Sequence, residues 1–339
     1  MSLRDDLLQA SRRAGEVLSA TGARDRVRTS GYTRINPVKI AESDGVPVMV
    51  RPLEKLLGAY LNPEGSPGIL VNSQRPIGMV HLTCAHELGH HFLGHETTAD
   101  EHIDYGESAS PNERAANEFA YHLLMPRWLV VHVMTKKGWG AADLRLPLVV
   151  YQLSLRLGVS YRAMVWLLKR INFLSQSDAS QIVAIAPKAL KEAASPDQSA
   201  PAERGDVWVL DPRDQEFVIE PRAGDRFILR LPNHAGAGYI WKMDDVASAG
   251  FSIQPVVVDP SKAIETAPVV VGGGGSIAYE LQPSAAAAAA EEVQAVKLEE
   301  SQPWNAASPR DTVGLRAQYE TLANGLSPGS RQRHLQEAR

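Results

Sequence analysis

The chain has 339 residues, of which 44% are hydrophobic and 22% are charged, and its length favours two domains. A net charge of −4 gives the whole chain no electrostatic reason to bind nucleic acid or an acidic membrane surface. The single cysteine, Cys84, excludes an intrachain disulfide framework and a zinc site built from thiolates alone.

The sequence shows no targeting or membrane segment. Residues 1–10 lack the basic start and the apolar run of a signal peptide. The longest apolar runs, such as Leu144 to Tyr151, are interrupted well before the about 18 residues that crossing a bilayer requires. The expected compartment is therefore the cytoplasm.

The first half of the chain predicts helices mixed with a few short strands. Helices are expected at Leu3–Leu18, from Asn36-Pro37 through Ile40, at Ile77–Gly94, at Asn112–Met125 and as two stretches within Leu144–Leu174. Strands are expected at Val48–Arg51, Ala59–Asn62 and Gly68–Asn72.

The composition changes after Ser175. Residues 176–204 are rich in Ser, Ala, Pro and Gln and predict a linker. The following hydrophobic pattern has a period of two and predicts a β-sandwich or barrel. Its strands are expected at Val207–Leu210, Phe217–Ile219, Phe227–Leu231, Tyr239–Met243, Phe251–Gln254, Ser276–Leu281 and Val293–Leu298. Ala285–Ala290 is compatible with a helix or a loop, and the polar tail Gly325–Arg339 is expected to be mobile.

The most informative run is His86-Glu87-Leu88-Gly89-His90. Residues four apart share one face of a helix, so His86 and His90 can hold one metal ion. Glu87 lies about 100° round the helix from His86, beside the ion, where it can act as a general base. His-Glu-x-x-His on a helix is the zincin signature, so zinc is the expected metal and manganese the alternative.

A catalytic zinc site usually has a third protein ligand. The residues that follow closely are His95, Glu96, Asp100 and His102. Gly94 and His95 miss the metzincin register, and Glu113 is the better candidate because it begins a helical stretch. Asn117 lies one turn later, where its side chain can bind the far ring nitrogen of a ligand histidine. This spacing is similar to the Asn-Glu-x-x-x-Asp arrangement of gluzincins.

Several residues near this motif have a structural alternative. Ser110-Pro111-Asn112-Glu113 fits a capping box, in which Glu113 only stabilises a helix start. Thr83 is expected on the metal side of the helix, in contact with a ligand. Cys84 is expected to be a small buried residue. His91 and His95 are expected to be exposed or to lie next to the ligands.

A family resemblance follows from four segments in this order: Gly58–Leu61, Gly68–Asn72, His81–His90 and Glu113–Pro126. Over residues 30–175 they resemble the ImmA/IrrE family of metallopeptidases. The resemblance implies a minimal zincin fold with His86, His90 and Glu113 as metal ligands and Glu87 as base. It also implies a target, a helix-turn-helix repressor of the XRE type that is cut to relieve repression, as in a stress response.

Substrate contacts are expected close to this site. Gly68–Asn72 is predicted to be an edge strand that holds an extended substrate. The candidate substrate-binding residues are Tyr60, Leu70, Asn72, Tyr121 and His122. The segment Leu153–Ala163 resembles a helix-turn-helix, and the basic residues that could touch phosphate are Arg156, Arg162, Lys169 and Arg170. A packing unit without direct nucleic-acid contact is the preferred interpretation.

The C-terminal β-rich region has motifs of its own. Asn233, Gly238 and Tyr239 precede Trp241, a glycine run spans Gly272 to Gly275, and Pro303-Trp304 follows Gln302. Over residues 205–320 this order resembles the chagasin family, an immunoglobulin-like fold that inhibits papain-type cysteine peptidases through three loops. The resemblance implies partner-binding loops that contain Asn233, Gly238, Tyr239, Gly274, Pro303 and Trp304. The family's Pro-Thr-Thr core is missing here, and Gln302 replaces an Arg.

Together these patterns predict an α+β protein. A minimal zincin-like metallopeptidase domain (1–140) is followed by a helical extension (141–175), a linker (176–204), an immunoglobulin-like all-β sandwich (205–322) and a flexible tail (323–339). The leading hypothesis is a zinc-dependent endopeptidase that cuts a protein substrate, with the β domain recruiting substrate or regulating access. The alternative is a non-catalytic binding protein or a cysteine-peptidase inhibitor.

Overall fold

The computed structural model describes residues 3–96, 98–100, 110–195, 205–256, 275–322 and 324–337, and within these ranges the architecture is α+β. The first part of the chain contains α1 (Leu3–Ala20), α2 (Ala23–Ser30), α3 (Pro37–Ser43), β1 (Val48–Arg51), β2 (Gly58–Leu61), β3 (Gly68–Asn72), α4 (Ile77–Leu93), β4 (Thr98–Asp100), α5 (Pro111–Leu124), α6 (Arg127–Lys137), α7 (Pro147–Leu157), α8 (Tyr161–Arg170), α9 (Gln176–Val183) and α10 (Pro187–Ala194). The remainder contains β5 (Val207–Leu210), β6 (Val218–Ile219), β7 (Arg226–Pro232), β8 (Ile240–Met243), β9 (Phe251–Pro255), β10 (Ser276–Pro283), α11 (Ala285–Ala289), β11 (Gln294–Ser301), β12 (Asp311–Ala317), β13 (Gly325–Leu326) and α12 (Pro328–Glu337). Within the described ranges, no helix has both the length and the hydropathy needed to cross a bilayer.

The sheet of the first part has the strand order β13-β1-β3-β2-β4. β1 and β3 run parallel, and β2 is antiparallel to both β3 and β4. The prediction that Gly68–Asn72 is an edge strand is wrong, because β3 is hydrogen-bonded on both sides and its backbone groups are already paired. Among the described strands, β4 holds the outer position next to β2.

The C-terminal part contains two further sheets, with the orders β5-β7-β10-β9 and β6-β12-β11-β8. Apolar side chains from both sheets are buried in one common cluster, which includes Phe227 and Leu281 from one sheet and Leu298 and Leu315 from the other. The alternation of buried and exposed residues along β12 follows the predicted period of two. The predicted strands of this region are thus present as two small sheets that share a core.

Part of the segment predicted to be a linker is folded. Within the predicted linker, α9 buries Ala179 and Ile182, and α10 buries Leu190 and Ala194. These apolar residues recur three or four positions apart, a helical spacing that the Ser- and Ala-rich composition obscured. Residues 196–204 lie outside the described ranges. The open question at Ala285–Ala290 resolves as a short helix, α11, capped by the Ser284 side chain.

The tail predicted to be mobile returns to the first sheet. β13 pairs antiparallel with β1, placing Leu326 opposite Met49. The Glu42 carboxylate on α3 accepts hydrogen bonds from the backbone N–H groups of Gly329 and Ser330 at the start of α12. The prediction failed because both partners of this polar tail lie far earlier in the chain: Met49 is 277 residues before Leu326, and Glu42 is 287 residues before Gly329. The division of the chain into domains stays a prediction.

Candidate metal centre

Helices α4 and α5 approach each other closely where the site forms. A Cβ atom added to Gly89 would lie 2.9 Å from Ala116 Cα and 3.0 Å from the Ala116 carbonyl oxygen. Only glycine at position 89 allows this backbone-to-backbone contact without displacing a helix. The contact brings His86 and His90 on α4 against Glu113 in the first turn of α5. α5 begins as the sequence predicted, with the Ser110 hydroxyl accepting the Glu113 N–H at 3.2 Å.

Three potential ligand atoms converge between the two helices. The Nε2 atoms of His86 and His90 lie 3.1 Å apart, and the Glu113 carboxylate oxygens lie 3.1 Å from His86 Nε2 and 3.4 Å from His90 Nε2. Both imidazoles are fully buried, and Glu113 is partly buried. Zinc–nitrogen bonds of about 2.0–2.1 Å in a tetrahedron place neighbouring ligand atoms about 3.3–3.4 Å apart. The donor set and its spacing therefore fit a divalent metal ion such as zinc.

The hydrogen bonds of His86 leave one ring nitrogen with a lone pair that faces the point where the three ligand atoms converge. His86 Nδ1 lies 3.0 Å from Asn117 Oδ1, an amide oxygen that only accepts, so Nδ1 carries the proton. The Nε2 atom then presents its lone pair toward His90 Nε2 and the Glu113 carboxylate. Converging lone pairs repel one another unless a cation or a proton lies between them. The contact to Asn117 is the one that the sequence predicted.

His90 has a corresponding partner in His95. The two Nδ1 atoms are 2.9 Å apart, so one ring donates to the other. Gly94 adopts a left-handed conformation (φ 71°), and the His95 N–H bonds the His90 carbonyl oxygen at 2.9 Å. This chain reversal returns the His95 ring to His90. Burial lowers the pKa of His95, although the charge of Glu113 acts in the opposite direction. The lowered pKa favours a neutral His95 ring.

Residues 41–166 match the family model Peptidase_M78, the IrrE N-terminal-like domain. The resemblance predicted from the motifs is confirmed over this segment. A peptidase family implies a protein substrate. The chain has no match among curated proteins.

Two solved structures are similar to the C-terminal part of the chain. The cysteine protease inhibitor EhICP2 from Entamoeba histolytica has a TM-score of 0.25 and 16% sequence identity, covering 34% of this chain and 95% of that one. Amebosin has a TM-score of 0.24 and 22% identity, covering 33% of this chain and 96% of that one.

The predicted base Glu87 lies where α4 packs against the first sheet. Its side chain is fully buried, and a Cβ atom added to Gly58 on β2 would lie 3.0 Å from Glu87 Oε1. The same added atom would lie 2.5 Å from the Thr83 methyl group. Gly58 is thus the close backbone neighbour of the candidate base, a position to which the sequence assigned no role. Thr83 packs its methyl group against β2, so its contact with a ligand stays a prediction.

The predicted substrate-binding residues are spread over several surroundings. Asn72 is buried, and its side chain bonds the backbone of Leu53 and Leu56, so it supports the fold. Leu70 lies on the interior strand β3. The Tyr60 hydroxyl is 3.3 Å from His91 Nδ1.

The two predicted substrate-binding residues on α5, Tyr121 and His122, have different surroundings. His122 Nε2 donates to the Glu118 carboxylate at 2.9 Å. Tyr121 lines a cavity that begins beside Asn117.

The Cys84 thiol is buried as expected. Its pKa is raised, mainly by burial and to a smaller extent by the negative charge of Glu87.

In the C-terminal part, two predicted partner-binding loops contact each other. The Trp304 ring lies against Gly238, where a Cβ atom would meet it at 2.5 Å, and Gly238 has a φ of 79°. Gln302 Nε2 donates to the Ala237 carbonyl at 3.1 Å. Trp304 is nevertheless 72% exposed, and Pro303 beside it is exposed too.

Other loop residues have local partners. The Asn233 side chain accepts from the Ala235 N–H at 3.1 Å, and the Arg310 guanidinium lies 5.1 Å from the Tyr239 ring centroid. Trp241, which follows these loop residues, is buried in the core. Gly274 lies outside the described residues.

Proposed function

We propose that the chain is a zinc-dependent endopeptidase whose site consists of His86, His90, Glu113 and Glu87. The observation that carries the proposal is the convergence of three metal-ligating atoms in a segment that matches a peptidase family. The buried imidazoles are preorganised, because Asn117 and His95 hold their outer nitrogens. Manganese is the alternative metal, since the same nitrogen and oxygen donors accept it.

The chemistry divides between the metal and the protein. A bound zinc ion would polarise the scissile carbonyl and make water acidic enough to react near neutral pH. Glu87 follows His86 directly on α4, so its carboxylate is placed to take the proton from the attacking water. It then delivers the proton to the leaving amine. The close approach of Gly58 keeps the Glu87 side chain in a confined space on the sheet side of the helix.

The substrate we propose is a helix-turn-helix repressor of the XRE type, whose cleavage relieves repression. This substrate follows from the family resemblance of the peptidase segment. We also propose that the two C-terminal sheets form an immunoglobulin-like sandwich that recruits the substrate or regulates its access. Buried polar contacts to the peptidase part, such as Arg156 to Asp214 at 2.7 Å, support a fixed relation between the two parts.

The test combines a cleavage assay with metal analysis. The purified protein is mixed with a helix-turn-helix repressor encoded beside its gene, with zinc or manganese present. We expect cutting at one bond, loss of cutting in Glu87→Gln with full metal content, and unchanged cutting in Glu54→Gln, an exposed acid outside the site. An intact repressor with the metal-loaded wild-type protein would count against the proposal.

A second candidate function is inhibition of a papain-type cysteine peptidase. The exposed Trp304, supported by Gly238, favours it, because exposed tryptophans are enriched at interface hot spots. The full-length Glu87→Gln variant would then inhibit papain, and Trp304→Ala would weaken that inhibition. Papain activity unaffected by an excess of the variant rules this candidate out.

A further inference from the structure

A cavity of about 710 Å³ begins one helical turn from the metal ligand Glu113. Asn117, which bonds His86, forms part of its wall, and Tyr121 extends the wall by another turn of α5. The volume falls within the about 300–1,000 Å³ of ligand pockets. Its apolar lining comes from α1, α4 and α8 and includes Leu7, Met79, Leu82, Ala163, Trp166 and Leu167.

Positive charge dominates the polar part of this cavity. Arg114, Arg162 and Lys169 line it, and none of them forms an ion pair with another described residue. Arg114 Nε is buried without a hydrogen-bond partner among the described residues. A fourth cation, Arg170, is paired with Glu118. These three like charges, which have no ion-pair partner among the described residues, repel each other, and an anionic group placed between them would relieve that repulsion.

We propose that this cavity binds the substrate segment beside the scissile bond and selects a large apolar side chain together with an acidic one. The proposal rests on the proposed peptidase function. From Glu113 to Tyr121 the helix rises about 12 Å, and an extended peptide covers that distance in about four residues. The selected acidic residue therefore lies within about four residues of the bond that is cut.

The cavity fits a peptide better than a nucleic-acid backbone. Of the four basic residues predicted as phosphate contacts, Arg156 is buried and bonded to Asp214, so it is not on this surface. The remaining cations surround a concave site whose walls include Trp166 and Leu167. An apolar wall next to a cationic rim complements a peptide with an apolar and an acidic side chain. A nucleic-acid backbone would use only the cationic rim and leave the apolar wall without a partner.

The experiment measures binding by the zinc-loaded Glu87→Gln protein with fluorescein-labelled decapeptide pools. One pool has a fixed Leu and a fixed Glu three residues apart, the second has Gln in place of Glu, and the third has Lys. We expect the Glu pool to bind about tenfold more tightly than the Gln pool, the effect of one charge-assisted hydrogen bond. The double variant Arg162→Glu/Lys169→Glu should reverse the preference to the Lys pool, while Lys55→Glu, an exposed control, keeps it.

Several outcomes would overturn the assignment. Equal binding of the Glu and Gln pools, or a preference that survives the double charge reversal with the metal content intact, removes the basis for the acidic subsite. Tight binding of a labelled DNA duplex that the double variant abolishes, without selection among the peptides, assigns the cations to phosphate instead. If the Glu pool is bound selectively but the wild-type protein cuts neither peptide nor repressor, the subsite stands and the peptidase function fails.

Discussion

At the residue scale, the candidate metal centre depends on contacts made by the ligands as much as on the ligands themselves. His86 and His90 each direct Nε2 toward the point where the ligand atoms converge. The Nδ1 atom of His86 contacts Asn117, and that of His90 contacts His95. The sequence predicted Asn117, because it lies one helical turn after Glu113. It left the position of His95 open, since that ring reaches His90 only through the left-handed turn at Gly94.

Replacement of His95 tests this arrangement. We expect His95→Ala to lower zinc affinity about 10- to 100-fold, because the His90 ring loses the hydrogen bond that orients it. Competition with a chromophoric chelator measures the effect. His91→Ala is the matched control, since its ring bonds Asp44 at 2.8 Å and faces Tyr60. An unchanged zinc affinity in His95→Ala would show that the contact does not position the ligand.

At the scale of secondary-structure elements, glycine positions decide how closely α4 can pack. Gly89 allows the backbone contact with Ala116 on α5, and Gly58 allows β2 to approach Thr83 and Glu87. The His-Glu-x-x-His motif by itself predicts no role for either glycine. Their role is visible only once the neighbouring element is in place, because an added Cβ has no effect until another backbone occupies its space.

Adding one methyl group to α4 measures the value of this close packing. We expect Gly89→Ala to lower the free energy of unfolding by about 1–3 kcal/mol through overpacking, and to weaken zinc binding because Glu113 moves with α5. Urea unfolding followed by circular dichroism gives the first quantity. Gly15→Ala on α1 is the matched control: nothing lies within 4 Å of its added Cβ, so helix propensity should raise stability by up to about 1 kcal/mol. A stabilising Gly89→Ala would contradict the packing argument.

At the scale of the whole molecule, buried ion pairs connect the first part of the chain to the C-terminal sheets. Asp214 bonds Lys137 at 2.6 Å and Arg156 at 2.7 Å, and all three side chains are buried. Glu320, which follows β12, pairs with Arg34 and lies 2.7 Å from His81 Nε2 on α4. Burial by itself would raise the pKa of Glu320, but the charges of His81 and Arg34 outweigh it and lower the pKa to about 2.

The lowered pKa of Glu320 predicts a pH dependence of stability. An acid whose pKa falls on folding contributes stability above its ordinary pKa of 4.5, and this contribution is lost as the pH falls toward about 2. We expect Glu320→Gln to lower the free energy of unfolding at pH 7 by about 3–5 kcal/mol, since it removes the carboxylate that pairs with the buried Arg34 and His81. Between pH 4.5 and 2 the variant should lose less stability than the wild type.

Urea unfolding at a series of pH values tests this prediction. Glu292→Gln, which alters an exposed carboxylate, is the control and should follow the wild-type curve. Parallel curves for Glu320→Gln and the wild type down to about pH 2 would show that this ion pair does not couple the two parts.

The local pattern of the sequence determined much of the first part of the chain. The spacing of His86 and His90 places both rings on one helix face, and Ser110-Pro111 determines where α5 begins, because these relations need only a few neighbouring residues. The strands β1, β2 and β3 were likewise predictable from runs of apolar residues between turns. The segments that carry the family resemblance, all within the matched residues 41–166, are also local motifs.

The tertiary structure decided whatever depends on residues far apart in the chain. It placed β3 in the interior of its sheet, returned the polar tail to β1 and Glu42, and gathered the cations of α5 and α8 around one cavity. Hydrogen-bond partners and charge neighbours at such separations leave no periodic trace in the sequence. The sequence therefore determined which residues could bind a metal, and the packing of α4 against α5 decided that Glu113 meets the two histidines.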